Sequence, residues 1–311
     1  MKNKNNKNNL LITIIVGLLV LIALIVIGNV ISIGDKIAGI HPILSYLFYG
    51  VVGIIFIWLV VFPVVRVIIT PQLKGISKEN ISDYTPSEVT EYINDLKKGI
   101  KFTREEEREL DLGDDRKKTI EKILNNRYEE MEKAVKKAAV SNFVITAISQ
   151  NGSLDFIASI TINFRMINHI VNQLGKRPSY SQLIKLYISV VSASLVITAI
   201  DDIIDDIDFN ELLGGLLGIG ASRQAAGVVG LGVVVDTFIS SAINGLMNAY
   251  VTLRVGYATI KYLEVGNENF DRKETRKYAI KLARKQLLNV GKEGFAEAIK
   301  KAGKMLKIIV E

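Results

Sequence analysis

"HPILSYLFYGVVGIIFIWLVVFPVVR", His41–Arg66, is the stretch that decides the fold. From Lys36 to Arg66 the chain carries no other charge, and only His41 and Pro42 break the apolar run. A second uncharged run extends from Leu10 to Gly34. About 20 apolar residues cross a bilayer as a helix, so both runs are long enough. A buried helix in a soluble core is the other home for such a run, but uncharged stretches of this length favour lipid. The first run is also too long for the apolar region of a cleaved signal peptide, and "GNVISIGD" offers no small-x-small cleavage site. The reading is an uncleaved hairpin with spans over about 10–33 and 43–65.

Lys and Arg placement orients such a hairpin. Lys2, Lys4 and Lys7 precede the first span, and Arg66, Lys74 and Lys78 follow the second. The loop "GDKIAGIHP" between them holds only Asp35 and Lys36. Both termini, and everything after Arg66, are therefore expected in the cytoplasm. Trp58, Tyr46 and Tyr49 suit either the membrane interface or ordinary lipid packing.

The rest of the chain narrows the chemistry. It has no cysteine, which excludes a disulfide framework, a thiolate metal site and a Cys nucleophile. Two histidines, His41 and His169, argue against a His-rich metal centre. The net charge of +7 is unevenly spread. Residues 66–140 balance sixteen bases against sixteen acids, residues 141–270 are net −3, and residues 271–311 are net +7. A basic tail points to an anionic membrane surface or to nucleic acid.

Residues 71–139 read as a charged helical neck. "TPSE" supplies Thr85 as an N-cap, Pro86 at the first helical position and Glu88 three residues after the cap, and "TREE", Thr103–Glu106, repeats the signal. A longer helix is expected from about Asp114, with Ile120, Leu124, Met131, Val135 and Ala138 on one face. That face suits packing on the following domain or a short coiled coil. Residues 140–265 read as apolar helices separated by "QNGS", "GKRPS", an acidic stretch and a glycine-rich run. They form a bundle core, with a third or re-entrant membrane segment somewhere in 186–253 as the alternative.

"DDIID", Asp201–Asp205, raises the enzyme question. On a helix Asp201, Asp202 and Asp205 share a side and could hold Mg²⁺ and a diphosphate, as in an isoprenoid synthase. Such an enzyme needs a second acidic site, whereas Asp155 and Asp236 stand alone in the sequence. The preferred reading is a polar turn, and no metal or cofactor is expected. Gly227, Gly230 and Gly232 are in the wrong order for a dinucleotide fingerprint, and no phosphate-binding G-x-x-x-x-G-K-[ST] occurs. Gly214 and Gly218 suit close helix packing. His169 is read as an ordinary helix residue, and Ser141, Ser149 and Ser153 have no His/Asp partners in sequence pattern.

"GSLD" (152–155), "NFRMI" (163–167), "GKRP" (175–178), "NGL" (244–246) and "TLRVGYA" (252–258), in this order and spacing, resemble the YcjF-like family of bacterial inner-membrane proteins. The resemblance covers about residues 140–260, and the hairpin layout extends it forward. It implies a transmembrane hairpin with a cytoplasmic helical domain related to one fused to Era-like GTPases, and no settled activity. The family often closes with a Cys-Arg-Pro-like run, where this chain has "YLEVGNEN". Arg165, Arg177 and Arg254 lie in the shared motifs, with Asp155 beside them. They form either a polar patch that docks a GTPase or another cytoplasmic protein, or intramolecular pairs and caps.

The expected architecture is all-α: a hairpin (1–70), a neck (71–139), a helical domain (140–265) and a basic amphipathic tail (266–311). The expected function is that of a non-enzymatic membrane adaptor or scaffold, with a prenyl-type transferase or a pore component as alternatives. In the tail, Phe295, Ile299, Ala302, Leu306 and Ile309 form one stripe, while Lys300, Lys304 and Lys307 lie opposite and Lys301 flanks them. This is the pattern of a helix lying in a membrane interface, and packing on the bundle is the alternative. Ile280, Ala283 and Leu287 line up in the segment before it. Nucleic acid is not expected as a partner, and the chain is compatible with a homo-oligomer.

Overall fold

The computed structural model describes residues 27–28, 30–72, 84–100, 102–112, 115–149, 152–178, 180–195, 232–265 and 271–310. Among them the chain is all-α, with a single isolated bridge between Gln72 and Arg177. The acidic stretch with Asp201, Asp202 and Asp205, the glycine run from Gly214 to Gly230 and most of the first apolar run lie outside the described residues. The chain divides into two units, Met1–Pro63 and Val64–Glu311.

In the first unit, helical turns over 30–38 end at a turn and a new helix starts. His41 caps it by accepting a hydrogen bond from the Ile43 N–H at Nδ1 (3.2 Å), and Pro42 occupies the first turn. This helix, α1, runs over Pro42–Ile69, past the division at Pro63. It widens to a π-turn at Ile57–Val61, where the Phe62 N–H donates to the Ile57 carbonyl five residues back. Pro63 explains the distortion, because its ring has no N–H and crowds the carbonyl of the preceding turn. The earlier turns pack back on α1: the Tyr49 hydroxyl donates to the Ile31 carbonyl (3.3 Å), and a side chain on Gly34 would overlap the Tyr49 ring. Most of the α1 surface is apolar and open. Tyr46 is 75% exposed and Trp58 62%. At 28 residues, α1 is long and apolar enough to cross a membrane, and among the described residues it is the one helix that is.

In the second unit, α2 (Pro86–Lys97) starts with the expected capping box. The Glu88 N–H donates to Thr85 Oγ1, while the Thr85 N–H donates to Glu88 Oε2 at 2.7 Å. The same reciprocal pair joins Thr103 and Glu106 ahead of α3 (Arg104–Leu112). The hydrogen bond from the Thr85 backbone, then that from its hydroxyl, hold the Glu88 carboxyl below its ordinary value of 4.5. A lowered carboxyl stabilises the fold above its unfolded pKa, and that contribution is lost as pH falls through the lowered folded value. The Glu88 carboxyl, followed by carbon-13 NMR, should therefore titrate below 4.5, and Thr85→Ala should return it toward that value.

Asp115 caps α4 (Arg116–Ile148) by accepting from the Lys118 N–H. Ile120, Leu124, Met131 and Val135 are fully buried along it; Ala139, rather than Ala138, takes the next core position. The stripe packs on the bundle. It does not stop at the expected boundary between neck and domain: α4 runs unbroken through 139–140, so these residues share one rod. The bundle is completed by α5 (Gly152–Leu174), α6 (Tyr180–Leu195), α7 (Gly232–Val265) and α8 (Arg272–Val310). α7 packs along α4, α8 packs on both, α5 covers α4 and α7, and α6 closes against α5 and α7.

Pairings fix the α4–α7 register as antiparallel. The Asn142 amide donates to Thr252 Oγ1 (2.6 Å), and the Asn248 amide donates to Thr146 Oγ1 (2.8 Å). Both helices thus place an amide and a hydroxyl four residues apart, and each rung gives a buried amide N–H an acceptor across the seam. Phe143 lies against both Gly245 of α7 and Gly294 of α8, and Gly256 faces Val135 and Met166. Glycine here allows the helices to approach closely enough for large side chains to fill the seam.

The position of α8 corrects the expected free tail. Thr275, Ala279, Ala283, Leu287, Val290, Phe295 and Ala298 are buried against the bundle. The apolar line from Ala283 to Phe295 meets protein, and small residues at its N-terminal half let α8 come close to α4 and α7. Lys300 and Lys301 are exposed, and Lys301 pairs with Glu297 at 3.1 Å. Of the expected stripe, Phe295 is buried and Ile299 exposed, and the side chains of Ala302, Lys304, Leu306, Lys307 and Ile309 lie outside the described residues.

Candidate functional site

The four polar residues singled out in the sequence do not form one patch. Asp155 and Arg177 stand at opposite ends of α5, about 30 Å apart along its axis. Asp155 is half-buried in the first helical turn. Burial pushes its carboxyl above the usual range, against a hydrogen bond from the Ser149 side chain. Arg254 lies 5.6 Å from the centre of the Tyr250 ring, one helical turn back on α7. Arg165 is exposed on α5, although the other four residues of "NFRMI" are buried. His169 is an exposed α5 residue paired with Gln173.

Arg177 belongs to a different construction. In "GKRP", Gly175 ends α5 with φ at +56°, the left-handed conformation that favours glycine. Its backbone lies directly on Gly99, at the end of α2: a Cβ on Gly99 would stand 2.5 Å from the Gly175 carbonyl oxygen. Lys176 is almost wholly buried and pairs with Asp95 of α2 at 2.8 Å. The Arg177 N–H donates to the Pro71 carbonyl (3.0 Å), and its guanidinium donates to the Pro178 carbonyl (2.9 Å). Three successive residues thus bind α2 and the strand-like step that follows α1.

A third cation completes the junction. Arg127 of α4 donates to both carboxylate oxygens of Glu106 (3.2 and 3.0 Å) and to the Gln173 carbonyl at the end of α5 (3.2 Å). Its guanidinium lies 5.5 Å from the centre of the Phe102 ring. A cation at a helix C-terminus meets the negative end of the dipole, and the two-oxygen grip on Glu106 fixes α3 in orientation as well as distance. Sequence reasoning missed Asp95, Gly99, Glu106 as an ion partner, Arg127 and Lys176. Gly99 and Gly175 are both turn glycines after helices, but nothing local tells one that it faces the other. Chemically the junction is a clasp: its cations are held by carboxylates and carbonyls of this chain. Among the described residues no three His, Asp or Glu side chains gather as a metal site.

The model of a family described as a domain of unknown function, DUF697, matches residues 113–293. That match takes in α4 to α8 up to the middle of α8, including the Arg127 end of the clasp. Neither the curated proteins nor the solved structures contain a match to the chain.

Proposed function

From the premise that this chain belongs to the DUF697 family, we propose that it is a membrane-anchored, non-enzymatic adaptor whose helical bundle presents a docking surface in the bacterial cytoplasm. The observation that carries this reading is α1: a helix of 28 residues, apolar around its whole circumference, whose most apolar window is only 12% buried. Such a surface requires lipid or another apolar cover. The packing of residues 30–38 on α1 favours a hairpin with the preceding apolar run, and the lysines outside both runs favour cytoplasmic termini. The resemblance to YcjF-like proteins favours a GTPase as the partner, and Arg165, the outward residue of an otherwise buried motif, is the place to look for it. Asp155, Arg177 and Arg254 then serve the fold of the bundle.

A photo-crosslinking residue in place of Arg165, activated in native membranes, tests this. The expected result is a crosslink to a nucleotide-binding protein whose yield changes with the bound nucleotide. Crosslinks to lipid or to a second copy of the chain alone would remove the GTPase from the account.

A further inference from the structure

The outer face of α8 carries a charge pattern that its buried face does not explain. At 100° per residue, the buried residues from Thr275 to Ala298 centre on one side of the helix. Lys277, Lys281, Lys285, Leu288, Lys292 and Ile299 follow one another along the other side, spaced by four, four, three, four and seven. All six are exposed. The ridge is about 33 Å long. Glu274 stands at the N-terminal end of this side, Glu293 is exposed on its flank, and Glu297 is engaged by Lys301. Among the described residues none of these four ridge lysines forms an ion pair.

The two aliphatic residues decide what the ridge fits. Beyond residue 72, the described part of the chain exposes three large aliphatic side chains, Ile184, Leu288 and Ile299, and two of them stand in line with the lysines. A nucleic-acid surface would use the lysines and leave Leu288 and Ile299 without a role. A bilayer with anionic headgroups uses both: lysines meet phosphates while the aliphatic groups enter the headgroup boundary. We propose that this outer ridge of α8 docks on the anionic cytoplasmic face of the membrane. The contact differs from the stripe expected in the sequence: Phe295 of that stripe is spent on the core, and Ile299 is the member that the ridge shares with it. It rests on the anchor proposed above, which keeps the bundle close to the bilayer.

The chain has no native cysteine, so Asn289→Cys, beside the ridge, places a single fluorophore on the full chain. Reconstitution into phosphatidylcholine vesicles, with or without phosphatidylglycerol, and quenching by lipid-borne nitroxides then reads the contact. Strong quenching is expected with phosphatidylglycerol, and little without it or at high salt. Each ridge lysine near the surface contributes about fivefold to the partition, so Lys281→Gln, Lys285→Gln and Lys292→Gln together should weaken docking about a hundredfold. Circular dichroism of that variant should match the parent. Equal quenching in both lipids, unchanged quenching in the triple variant, or loss of quenching to competing duplex DNA would overturn the proposal. A chain that co-floats with neutral vesicles but shows no lipid-dependent quenching defeats the ridge alone. One that fails to co-float with neutral vesicles defeats the anchor instead.

Discussion

Truncating Phe143 to alanine should destabilise the bundle by about 3–5 kcal/mol, the range for emptying a fully buried aromatic site. Phe143 is 0% exposed and touches α7 and α8 at once, so the cavity would open where three helices meet and could not collapse from one side. In detergent, the unfolding midpoint followed by circular dichroism should fall by about 10 °C. The glycines make the prediction sharper. A Cβ on Gly294 would stand 2.6 Å from the Phe143 ring, so Gly294→Ala alone overfills the seam and should cost about 1–3 kcal/mol. Combining it with Phe143→Leu should cost less than the two single changes added together, because the added methyl occupies part of the space the ring leaves. Additive costs would mean that the two sites do not share this seam.

Replacing Gly175 should unfasten α2 from the end of α5. Two costs combine there. The backbone angle of +56° is unfavourable for any residue with a Cβ, by about 1–2 kcal/mol. The contact with the Gly99 backbone leaves no room for one, and backbone cannot rotate aside as a side chain can. The choice of substitute separates the two. Asparagine tolerates left-handed geometry far better than alanine does, so Gly175→Asn would recover most of the loss if torsion were the whole cost. Because the crowding falls on the Cβ itself, we expect Gly175→Asn to be nearly as harmful as Gly175→Ala. Amide exchange of Leu96 and Gly99 should accelerate in both variants while the α4–α7 rungs remain protected. Rescue by asparagine would show that the close approach does not matter.

The parts of this structure that were legible in the sequence are those written within a few residues. Both capping boxes, the π-distorted helix as an apolar run, and the buried line from Ile120 to Val135 depend on spacing inside one element. The clasp was not legible, because Gly99 and Gly175, Asp95 and Lys176, and Glu106 and Arg127 each meet across a gap that only the fold closes. The division of the chain at 139–140 was misleading for a related reason: composition changes there from charged to apolar, but a helix can continue through such a change when its neighbours do. In α8 the sequence displayed an apolar stripe and a basic face and could not say which surface would cover the stripe. A protein core and a bilayer accept the same residues, and Ala279, Ala283 and Phe295 went to the core. The rungs between Asn142 and Thr252 and between Asn248 and Thr146 were hidden because Asn and Thr in an apolar helix look like isolated polar residues until the antiparallel partner supplies the match.

The most direct test of the central claim is the sidedness of the chain in the membrane. Single cysteines at Lys4, Ala38 and Lys98 can be labelled from either side without background, since the native sequence contains none. With intact cells and a membrane-impermeant thiol reagent, labelling is expected at Ala38 only. Lys4 and Lys98 should react only after the cytoplasmic side is opened. Labelling of Lys98 from outside the cell would contradict the hairpin and the cytoplasmic placement of the bundle together.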